Sequence, residues 1–494
     1  MSFLGVDIGT GSSKAVVTDA DGTILAHATR GHRTSSPRLG WFEHDADDIW
    51  WSDFCALLTE LRQSLDLKQV QVVAVSGIGP VALLADAHGR PVRSAILYGI
   101  DTRAQAEIGE LTQTLGREAL LQHSCNLLTT QAVGPKLLWV AAHEPEIWAR
   151  ARRWYSASSY VVGQLTGEYV LDHYTASASD PLYDLTTLDW WSRAWDEVAP
   201  AIERPRLAWP GEVVGTVLAA MADELGLAPG TPVLAGTIDA LAESYSVGCG
   251  EVGDLMVMYG STLFLIETVA KPTAHPGLWA ATGRTNATYS IAAGMATSGL
   301  VTTWLADLLG AELGLLLEEA ATVPPGSGSL VLLPYFSGER TPLFDPEARG
   351  CWIGLTLGHG RGHLTRSTLE GVAYGVRHNI ETMLEAGAAP RRLVAVGGGT
   401  RGNLWTQIVS DVTGLPQDLP SITIGAAYGD AKMAAEAAGV NTSSWNLSAE
   451  RVEPCAATAE TYDRLYGVYR RTYLALREDM HLLARMSADV GDER

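Results

Sequence analysis

Three stretches that lie far apart in this chain share one pattern, in which an apolar strand-like run ends in an acidic residue or a glycine-rich turn. The turns begin at Asp7, at Asp239 and at Gly397. Strands that alternate with helices and end in polar turns predict an α/β fold. Because such turns are common in proteins, the pattern alone does not identify a function.

Hydrophobic spacing predicts the main elements between these turns. A β-branched run over residues 70–78 predicts a strand, whereas apolar side chains recur at helical spacing over residues 41–67, 294–309, 364–384 and 457–483. The chain has 494 residues, more than one hydrophobic core usually organises, so we expect two large domains with a cleft between them. No flexible linker composition separates them, and the predicted domains are residues 1–245 and 246–494.

The charge balance limits the partners that the protein can have. Acidic residues outnumber basic ones by 56 to 35, and a formal net charge of -21 repels nucleic acid and anionic lipid. We therefore expect neither a nucleic acid nor a membrane partner. The five cysteines are scattered singly, and the N-terminus carries no targeting segment, which together predict a cytoplasmic protein.

The first of the three turns has the residue types of a phosphate site. Asp7 precedes Gly9, Thr10, Gly11 and Ser12. Glycines let backbone amides approach a phosphate, hydroxyls add donors, and a neighbouring carboxylate can hold Mg²⁺ directly or through water. We predict that residues 9–12 bind phosphate and that Asp7 binds the metal; an ordinary hairpin with an acidic residue is the alternative.

The opening GVDIGTGSSKAVVTDADG resembles the first phosphate motif of the actin-like ATPase superfamily. Within that superfamily the chain resembles the FGGY family of carbohydrate kinases over nearly its whole length. The C-terminal signature of that family is matched by Gly350, Trp352, Gly354, Leu355, His363, Leu364, Ser367, Thr368, Leu369 and Glu370. Two further stretches, SGERTPLFDP from Ser337 and VGGGTRGNLWTQIVSDVTG from Val396, are similar to pentulose kinases.

The resemblance implies an α/β fold of two ribonuclease-H-like, actin-like ATPase domains flanking a central cleft, where ATP and a sugar meet. It also implies that Asp239, in AGTIDALAE, is the catalytic base. This role is chemically reasonable, because a carboxylate can accept the proton of a hydroxyl as its bond to the γ-phosphoryl group forms. Without the resemblance, a helix N-cap would be the preferred interpretation of this aspartate.

The same resemblance implies the nucleotide-binding residues in the second half of the chain. A second phosphate turn and an adenosine motif are matched by Gly260, Ser261, Thr262, Gly397, Gly398, Gly399 and Asn403. The missing glycine side chains would allow the base and ribose to lie against the backbone, and Asn403 would lie beside the adenine. A plain hairpin and a helix-start loop are the structural alternatives for these segments.

The sugar pocket is predicted to contain Gly79, Asp101, Arg103 and Asp239. The chain departs from the pattern of xylulose kinases at three places in the sequence. Residues 76–80 read SGIGP where those kinases carry glutamine, methionine and histidine, and Ala240 stands where they carry asparagine. The usual tryptophan before the AspXArg segment is replaced near Tyr98. Missing hydrogen-bonding groups change substrate discrimination strongly, so D-xylulose is a prediction with ribulose, glycerol, erythritol and gluconate as alternatives.

We therefore predict an ATP- and Mg²⁺-dependent kinase that phosphorylates a small-molecule sugar or polyol by direct transfer, with Asp239 as general base. A non-catalytic actin-like nucleotide switch is the alternative from another class, although the tail after Ala457 is too short for an appended peptide-binding domain. No GxGxxG opens a helix after a strand, which argues against a dinucleotide-dependent oxidoreductase. Family members are often dimers, and a homodimer is left open.

Overall fold

The computed structural model describes residues 1–491. The chain divides into two compact units. The first contains residues 1–251, 268–290 and 424–447, and the second contains 252–267, 291–423 and the residues from 448 onward. A single boundary after residue 245 thus describes the chain only in part, since two later segments return to the first unit.

The strands, in chain order, are β1 Ser2–Ile8, β2 Ser12–Asp19, β3 Ile24–Gly31, β4 Glu43–His44, β5 Val70–Gly77, β6 Leu83–Ala85, β7 Ala95–Ile96, β8 Arg153–Tyr155, β9 Val170–Asp172, β10 Tyr183–Asp184, β11 Asp189–Trp190, β12 Arg206–Ala208, β13 Val213–Thr216, β14 Pro232–Leu234, β15 Thr237–Ile238, β16 Asp254–Tyr259, β17 Leu263–Val269, β18 Trp279–Thr282, β19 Tyr289–Met295, β20 Val331–Leu333, β21 Cys351–Ile353, β22 Arg392–Val396, β23 Gln417–Pro420 and β24 Ser448–Val452.

The α-helices are α1 Ser52–Leu61, α2 Gln105–Leu115, α3 Arg117–His123, α4 Val133–His143, α5 Pro145–Arg150, α6 Ala157–Thr166, α7 His173–Ala178, α8 Ser192–Val198, α9 Ala219–Leu225, α10 Asp239–Ser246, α11 Gly299–Leu309, α12 Leu313–Thr322, α13 Arg361–Glu385, α14 Asn403–Thr413, α15 Ala426–Ala437 and α16 Ala459–Gly491.

The first unit is built on a mixed sheet in the order β13, β14, β5, β1, β2 and β3, with β15 also pairing with β5. The opening hairpin predicted from the sequence is confirmed, because β1 and β2 pair antiparallel from Ser2 opposite Asp19 to Ile8 opposite Ser13. Strands β1, β5 and β15 run parallel. Their carboxyl ends therefore lie at one edge of the sheet, which is where polar groups collect in such folds.

Glycines allow the helices of the first unit to pack unusually closely. A Cβ on Gly5 of β1 would lie 2.4 Å from the Ala431 nitrogen of α15. A Cβ on Gly429 of α15 would lie 1.9 Å from the Ala242 carbonyl oxygen of α10. Both distances are far below van der Waals contact, so any side chain at either position would separate the elements. The packing of α15 between β1 and α10 therefore depends on these two glycines.

Two helix predictions are longer than the helices themselves. The spacing over residues 41–67 corresponds to a π-helical turn, Ala46–Trp51, followed by α1, while residues 43–44 form strand β4. The helix predicted from residue 294 begins at Gly299, because residues 294 and 295 belong to β19 and a short connection follows that strand. In both places apolar residues of a neighbouring extended segment match the helical period by chance.

The second unit has its own mixed sheet, in which the order is β19, β17, β16, β22, β23 and β24. Strands β16 and β22 are parallel neighbours, with Met258 opposite Val396. The long helix α13 packs on this unit and carries a buried ion pair, in which Arg366 Nε donates to Glu370 Oε1 at 2.9 Å. Glu370 also accepts from the Ser327 hydroxyl at 2.7 Å, so this part of the family signature stabilises the fold.

Within residues 1–491, no single helix is long and apolar enough to cross a membrane. Helices α11 and α12 satisfy the length and composition criteria only when they are taken together, and a bend of 99° separates them.

Candidate functional site

The predicted catalytic residue and the predicted metal ligand lie at the same edge of the first sheet. Asp7 is the penultimate residue of β1, and its neighbour in the parallel register is Ser76 of β5. Asp239 is the first residue of α10 and directly follows β15, whose Thr237 is paired with the same Ser76. Strand register thus places the two carboxylates close to each other although they are far apart in sequence.

The surroundings of Asp239 favour a carboxyl group that holds a proton. Burial raises its pKa well above the usual value, and the negative charge of Asp7 raises it further. The Ala240 amide, which donates to Asp239 Oδ1 at 2.7 Å, acts in the opposite direction. Asp239 is therefore a stronger base in its ionised form than an exposed aspartate, which is the property that proton abstraction needs.

Asp7 is also buried, and burial raises its pKa to about 6. Lys14, which lies opposite Asp7 in the register of β1 and β2, lowers that pKa. The Ser76 hydroxyl is a weak donor to Asp7, at 3.4 Å from Oδ1. The ionised carboxylate thus has few donors within the protein, and it would gain from a cation.

Two more carboxylates complete this edge, and neither was identified from the sequence. Glu243, one turn after Asp239 on α10, has its pKa raised to about 7 by burial and then by Asp7. Asp430 of α15 is fully buried, and its Oδ2 accepts from the Ser76 amide at 3.1 Å and from the Ser76 hydroxyl at 2.5 Å. The four carboxylates form what we call the acidic edge: Asp7, Asp239, Glu243 and Asp430.

The predicted phosphate turn, residues 9–12, follows Asp7 and has amides to offer. The turn is closed by the Gly9 amide, which donates to the Ser12 carbonyl at 3.1 Å. Within the described part of the chain, the backbone amides of Thr10 and Gly11 donate no hydrogen bond. The Thr10 hydroxyl lies 2.9 Å from the hydroxyl of Tyr98. Two successive free amides beside a carboxylate are suited to phosphate oxygens.

Among the predicted sugar-binding residues, Gly79 lies beside the acidic edge. A Cβ on this residue would lie 2.7 Å from Ile238, the residue before Asp239. The absence of a side chain here leaves room for the Ile238 side chain, which packs against Gly79.

Asp101 and Arg103 are buried and bind each other. Arg103 donates to both carboxylate oxygens of Asp101, at 2.7 to 3.1 Å, and to Glu43 at 2.7 Å. Its guanidinium lies 4.3 Å from the ring centre of Trp41. A direct contact of these two side chains with a sugar stays a prediction. Asp101 also accepts from the Phe42 amide at 2.7 Å, so the pair ties its own segment to residues 42 and 43.

The predicted nucleotide residues lie in the second unit at the ends of neighbouring parallel strands. The turn of Gly260, Ser261 and Thr262 follows β16, and the amides of Ser298 and Gly299 donate to the carbonyls of Ser261 and Gly260, both at 2.9 Å. The start of α11 therefore fixes the backbone of this turn.

The glycine triplet follows β22 and packs on the strand beside it. Cβ atoms on Gly397 and Gly399 would lie 2.6 Å and 2.8 Å from atoms of Tyr259. Gly398 has open space around its Cα. Asn403 is the first residue of α14, and its side-chain amide nitrogen lies 3.4 Å from Glu450 Oε1. The structure thus brings residues 260–262 and 397–399 together, while the contacts of Asn403 with a base stay a prediction.

A metal at the acidic edge would need ligands beyond the protein. Among residues 1–491, no group of three or more histidine, cysteine, aspartate or glutamate side chains is arranged to hold a metal ion. Mg²⁺ commonly uses one or two carboxylates and completes its coordination with water and phosphate oxygens. The donor-poor carboxylate of Asp7 fits that mode.

Comparison with known proteins gives consistent matches along the chain. Residues 2–244 match the model of the FGGY family of carbohydrate kinases, N-terminal domain, and residues 255–438 match that of its C-terminal domain. The crystal structure of xylulose kinase from Rhodospirillum rubrum has a TM-score of 0.91 and 32% sequence identity, covering 97% of this chain and 100% of that chain.

Two curated proteins extend the comparison. Xylulose kinase of Escherichia coli (strain K12) is 29% identical over 490 residues, which cover 94% of this chain and 98% of that protein. Glycerol kinase of Alkalilimnicola ehrlichii is 30% identical over 465 residues, which cover 89% of this chain and 91% of that protein.

Proposed function

Because the chain belongs to the FGGY family of carbohydrate kinases, we propose that it phosphorylates a ketopentose, D-xylulose first among them, by direct transfer from ATP. ATP-dependent phosphorylation of a carbohydrate is the reaction of this family, and the predicted two-domain actin-like ATPase fold is confirmed. The choice of D-xylulose is supported by the relatives from R. rubrum and E. coli, both named xylulose kinase. Ribulose, glycerol, erythritol and gluconate are the alternatives.

The observation that carries the proposed mechanism is the position of Asp239 in the acidic edge. Asp239 accepts the proton of the sugar hydroxyl as that oxygen attacks the γ-phosphorus of ATP. Burial and the charge of Asp7 raise the pKa of Asp239, so the proton is held firmly once it has been transferred. The bond from the γ-phosphorus to the bridging oxygen breaks as the new bond forms, and ADP leaves.

The charge of the phosphates is balanced by groups that the turns supply. The free amides of Thr10 and Gly11 bind phosphate oxygens. The second phosphate turn, residues 260–262, and the glycines 397–399 hold the rest of the nucleotide. Mg²⁺, held through Asp7, would neutralise phosphate charge when it is bound with ATP. ATP is abundant in the cytoplasm, which is the location that we propose.

The role of Asp239 is tested by Asp239→Asn, with Asp223→Asn as a matched control because Asp223 is exposed on α9 of the same unit. We expect Asp239→Asn to lower kcat by about 10³-fold, the usual contribution of a general base, while ATP affinity changes less than threefold. Asp223→Asn should behave as the wild type. Near-normal kcat in Asp239→Asn would contradict the assignment.

The substrate is tested by coupled ADP release over D-xylulose, D-ribulose, L-ribulose, L-xylulose, glycerol, erythritol and gluconate. We expect the highest kcat/KM with D-xylulose. A value ten times higher for glycerol, erythritol or gluconate would overturn the ketopentose assignment and leave the kinase reaction intact. ADP release that no sugar accelerates would instead support a nucleotide switch.

A further inference from the structure

All three carbonyl groups at the centre of the phosphate turn accept hydrogen bonds from one residue, His32, which follows β3. Its backbone amide donates to the Gly11 carbonyl at 3.1 Å. Its ring Nε2 lies 3.1 Å from both the Gly9 and the Thr10 carbonyl oxygens. Because the carbonyls of a peptide turn are drawn to one side, the amides of Thr10 and Gly11 are left for a ligand on the other.

The partners of the ring fix its orientation. Nε2 faces only carbonyl oxygens, which are acceptors, so it must carry a hydrogen. Nδ1 lies 2.7 Å from Asp53 Oδ2. Asp53 is buried and also binds Arg30, at 2.8 Å, so it holds the ring at the nitrogen that does not face the turn. The His32 side chain is only 7% exposed.

The other groups that face this ring support the same arrangement. Ser13 donates to Asp53 Oδ2 at 2.8 Å. His44, on β4, stands edge to face with His32 at 5.1 Å between ring centres. Burial, followed by the charge of His32, lowers the pKa of His44 to about 4, so His44 is neutral and does not compete for Asp53. The titratable and charged neighbours of His32 are therefore Asp53, Arg30 and His44.

A second chain of donors ends on the same turn. The Trp50 indole donates to His44 Nδ1 at 3.1 Å, which leaves Nε2 of His44 as the protonated nitrogen, 3.0 Å from the Thr34 hydroxyl. Thr34 donates in turn to the Thr10 carbonyl at 3.1 Å. Each donor in this series of hydrogen bonds points toward the turn. The Thr10 carbonyl is therefore held from two sides, by His32 and by Thr34.

We propose that His32 is a positioning residue, oriented by Asp53, that holds the turn of residues 9–12 with its free amides toward the phosphates of ATP. The inference rests on the proposed function, in that these amides bind ATP. His32 lies outside the stretches of sequence that resemble the kinase motifs.

The test compares His32→Gln with His27→Gln, because His27 lies on β3 with an exposed side chain. A glutamine amide carries both of its donor hydrogens on one nitrogen, so it cannot replace the two separate ring nitrogens that face the carbonyls and Asp53. ATP affinity is measured by calorimetry without sugar, and KM is measured for ATP and for the best sugar. We expect His32→Gln to weaken ATP binding and raise KM for ATP by about tenfold, an effect of roughly one charge-assisted hydrogen bond. The KM for the sugar should not change, and His27→Gln should equal the wild type.

The orientation of the ring has a direct readout in protein labelled with ¹⁵N-histidine. The resonance pair that disappears in His32→Gln identifies the ring, and its Nε2 should carry the hydrogen that the Gly9 and Thr10 carbonyls accept. A ring whose Nε2 carries no hydrogen would overturn this contact with the turn. Unchanged ATP affinity in a folded His32→Gln protein would overturn the positioning role.

Thr34→Val provides a second variant should His32→Gln fail to fold. It removes one donor to the Thr10 carbonyl and keeps the size of the side chain, so ATP binding should weaken by about twofold to fivefold. Wild-type ATP affinity in this variant would overturn the proposal. The two proposals can be told apart by experiment. A protein whose ATP affinity depends on His32 but that phosphorylates no sugar contradicts the proposed function alone.

Discussion

Burial controls the chemistry of individual residues at the acidic edge. Asp7, Asp239 and Glu243 are the same residue types as dozens of surface carboxylates, yet each has a raised pKa because its charged form is poorly solvated. For Asp239 and Glu243 the second cause is the negative charge of Asp7, which makes their ionisation harder. Proximity therefore couples the basicity of Asp239 to neighbours that do not touch the substrate.

Glu243→Gln tests this coupling. Removing the charge of Glu243 lowers the pKa of Asp239, so the acid limb of kcat/KM for the sugar should move to lower pH. Gln can still accept from the Ala426 amide, and Glu118→Gln, at an exposed position on α3, is the control. An acid limb that moves to higher pH, or not at all, would contradict the coupling.

Tyr98→Phe tests the link between the predicted sugar segment and the phosphate turn. The variant removes the hydroxyl that lies 2.9 Å from Thr10 Oγ1. One hydrogen bond contributes about 1 kcal/mol, so the KM for ATP should rise about threefold to tenfold. The measurement is initial-rate kinetics with each substrate varied. A change confined to the KM for the sugar would show that Tyr98 acts on the sugar and not on the turn.

At the scale of elements, strand register and close helix packing place the reacting groups. Parallel pairing of β1, β5 and β15 brings Asp7 and Asp239 to one edge. Helix α15 then delivers Asp430 to Ser76, which lies 354 positions earlier in the chain. Since α10 begins at Asp239 and packs on α15, the position of the proposed base depends on the glycine at the crossing of these two helices.

Gly429→Ala is expected to disturb that crossing. Its Cβ would lie 1.9 Å from the Ala242 carbonyl oxygen, and backbone cannot yield as a flexible side chain can. We expect the melting temperature to fall by more than about 5 °C, together with a loss of activity through displacement of α10. Gly109→Ala in α2, with nothing within 4 Å, should instead stabilise the protein slightly. Equal stability of the two variants in thermal unfolding would contradict this account.

At the scale of the whole molecule, both units contain carboxyl groups with a raised pKa. Glu243 belongs to the first unit, and Glu339, whose burial raises its pKa to about 8, belongs to the second. A raised pKa means that the folded protein binds these protons more tightly than the unfolded chain. The stability that they contribute is complete below the unfolded pKa and is lost as pH rises through the folded pKa.

Glu339→Gln isolates one such contribution. The amide oxygen can still accept from the backbone amides of Ala296 and Arg340, but no charge has to be buried. At pH 9 the variant should melt about 2 to 4 °C above the wild type, and the difference should shrink as pH falls and vanish near pH 4, below the pKa of the unfolded chain. Differential scanning calorimetry across this range provides the measurement. A variant less stable than the wild type at pH 9 would show that the carboxylate is compensated in the fold.

The features that could be predicted from the sequence are those set by local chemistry. Glycines 9 and 11 beside Asp7, and an aspartate at the end of a strand at position 239, depend on backbone freedom and on residue type within a few positions. The alternation of strands and helices predicted the α/β fold, and the family signature on α13 identified the kinase. These inferences held because each depends on neighbours in sequence.

The tertiary structure alone decided which distant residues meet. Nothing within a few positions of His32 and Asp53 indicates that they support the phosphate turn, and nothing near Asp430 indicates that it binds Ser76. These contacts depend on strand register and on helix packing. Arg103 gave no sequence signal of being buried against Asp101 and Glu43. Hydrogen bonds and pKa shifts depend on distances between side chains, and only the folded chain sets those distances.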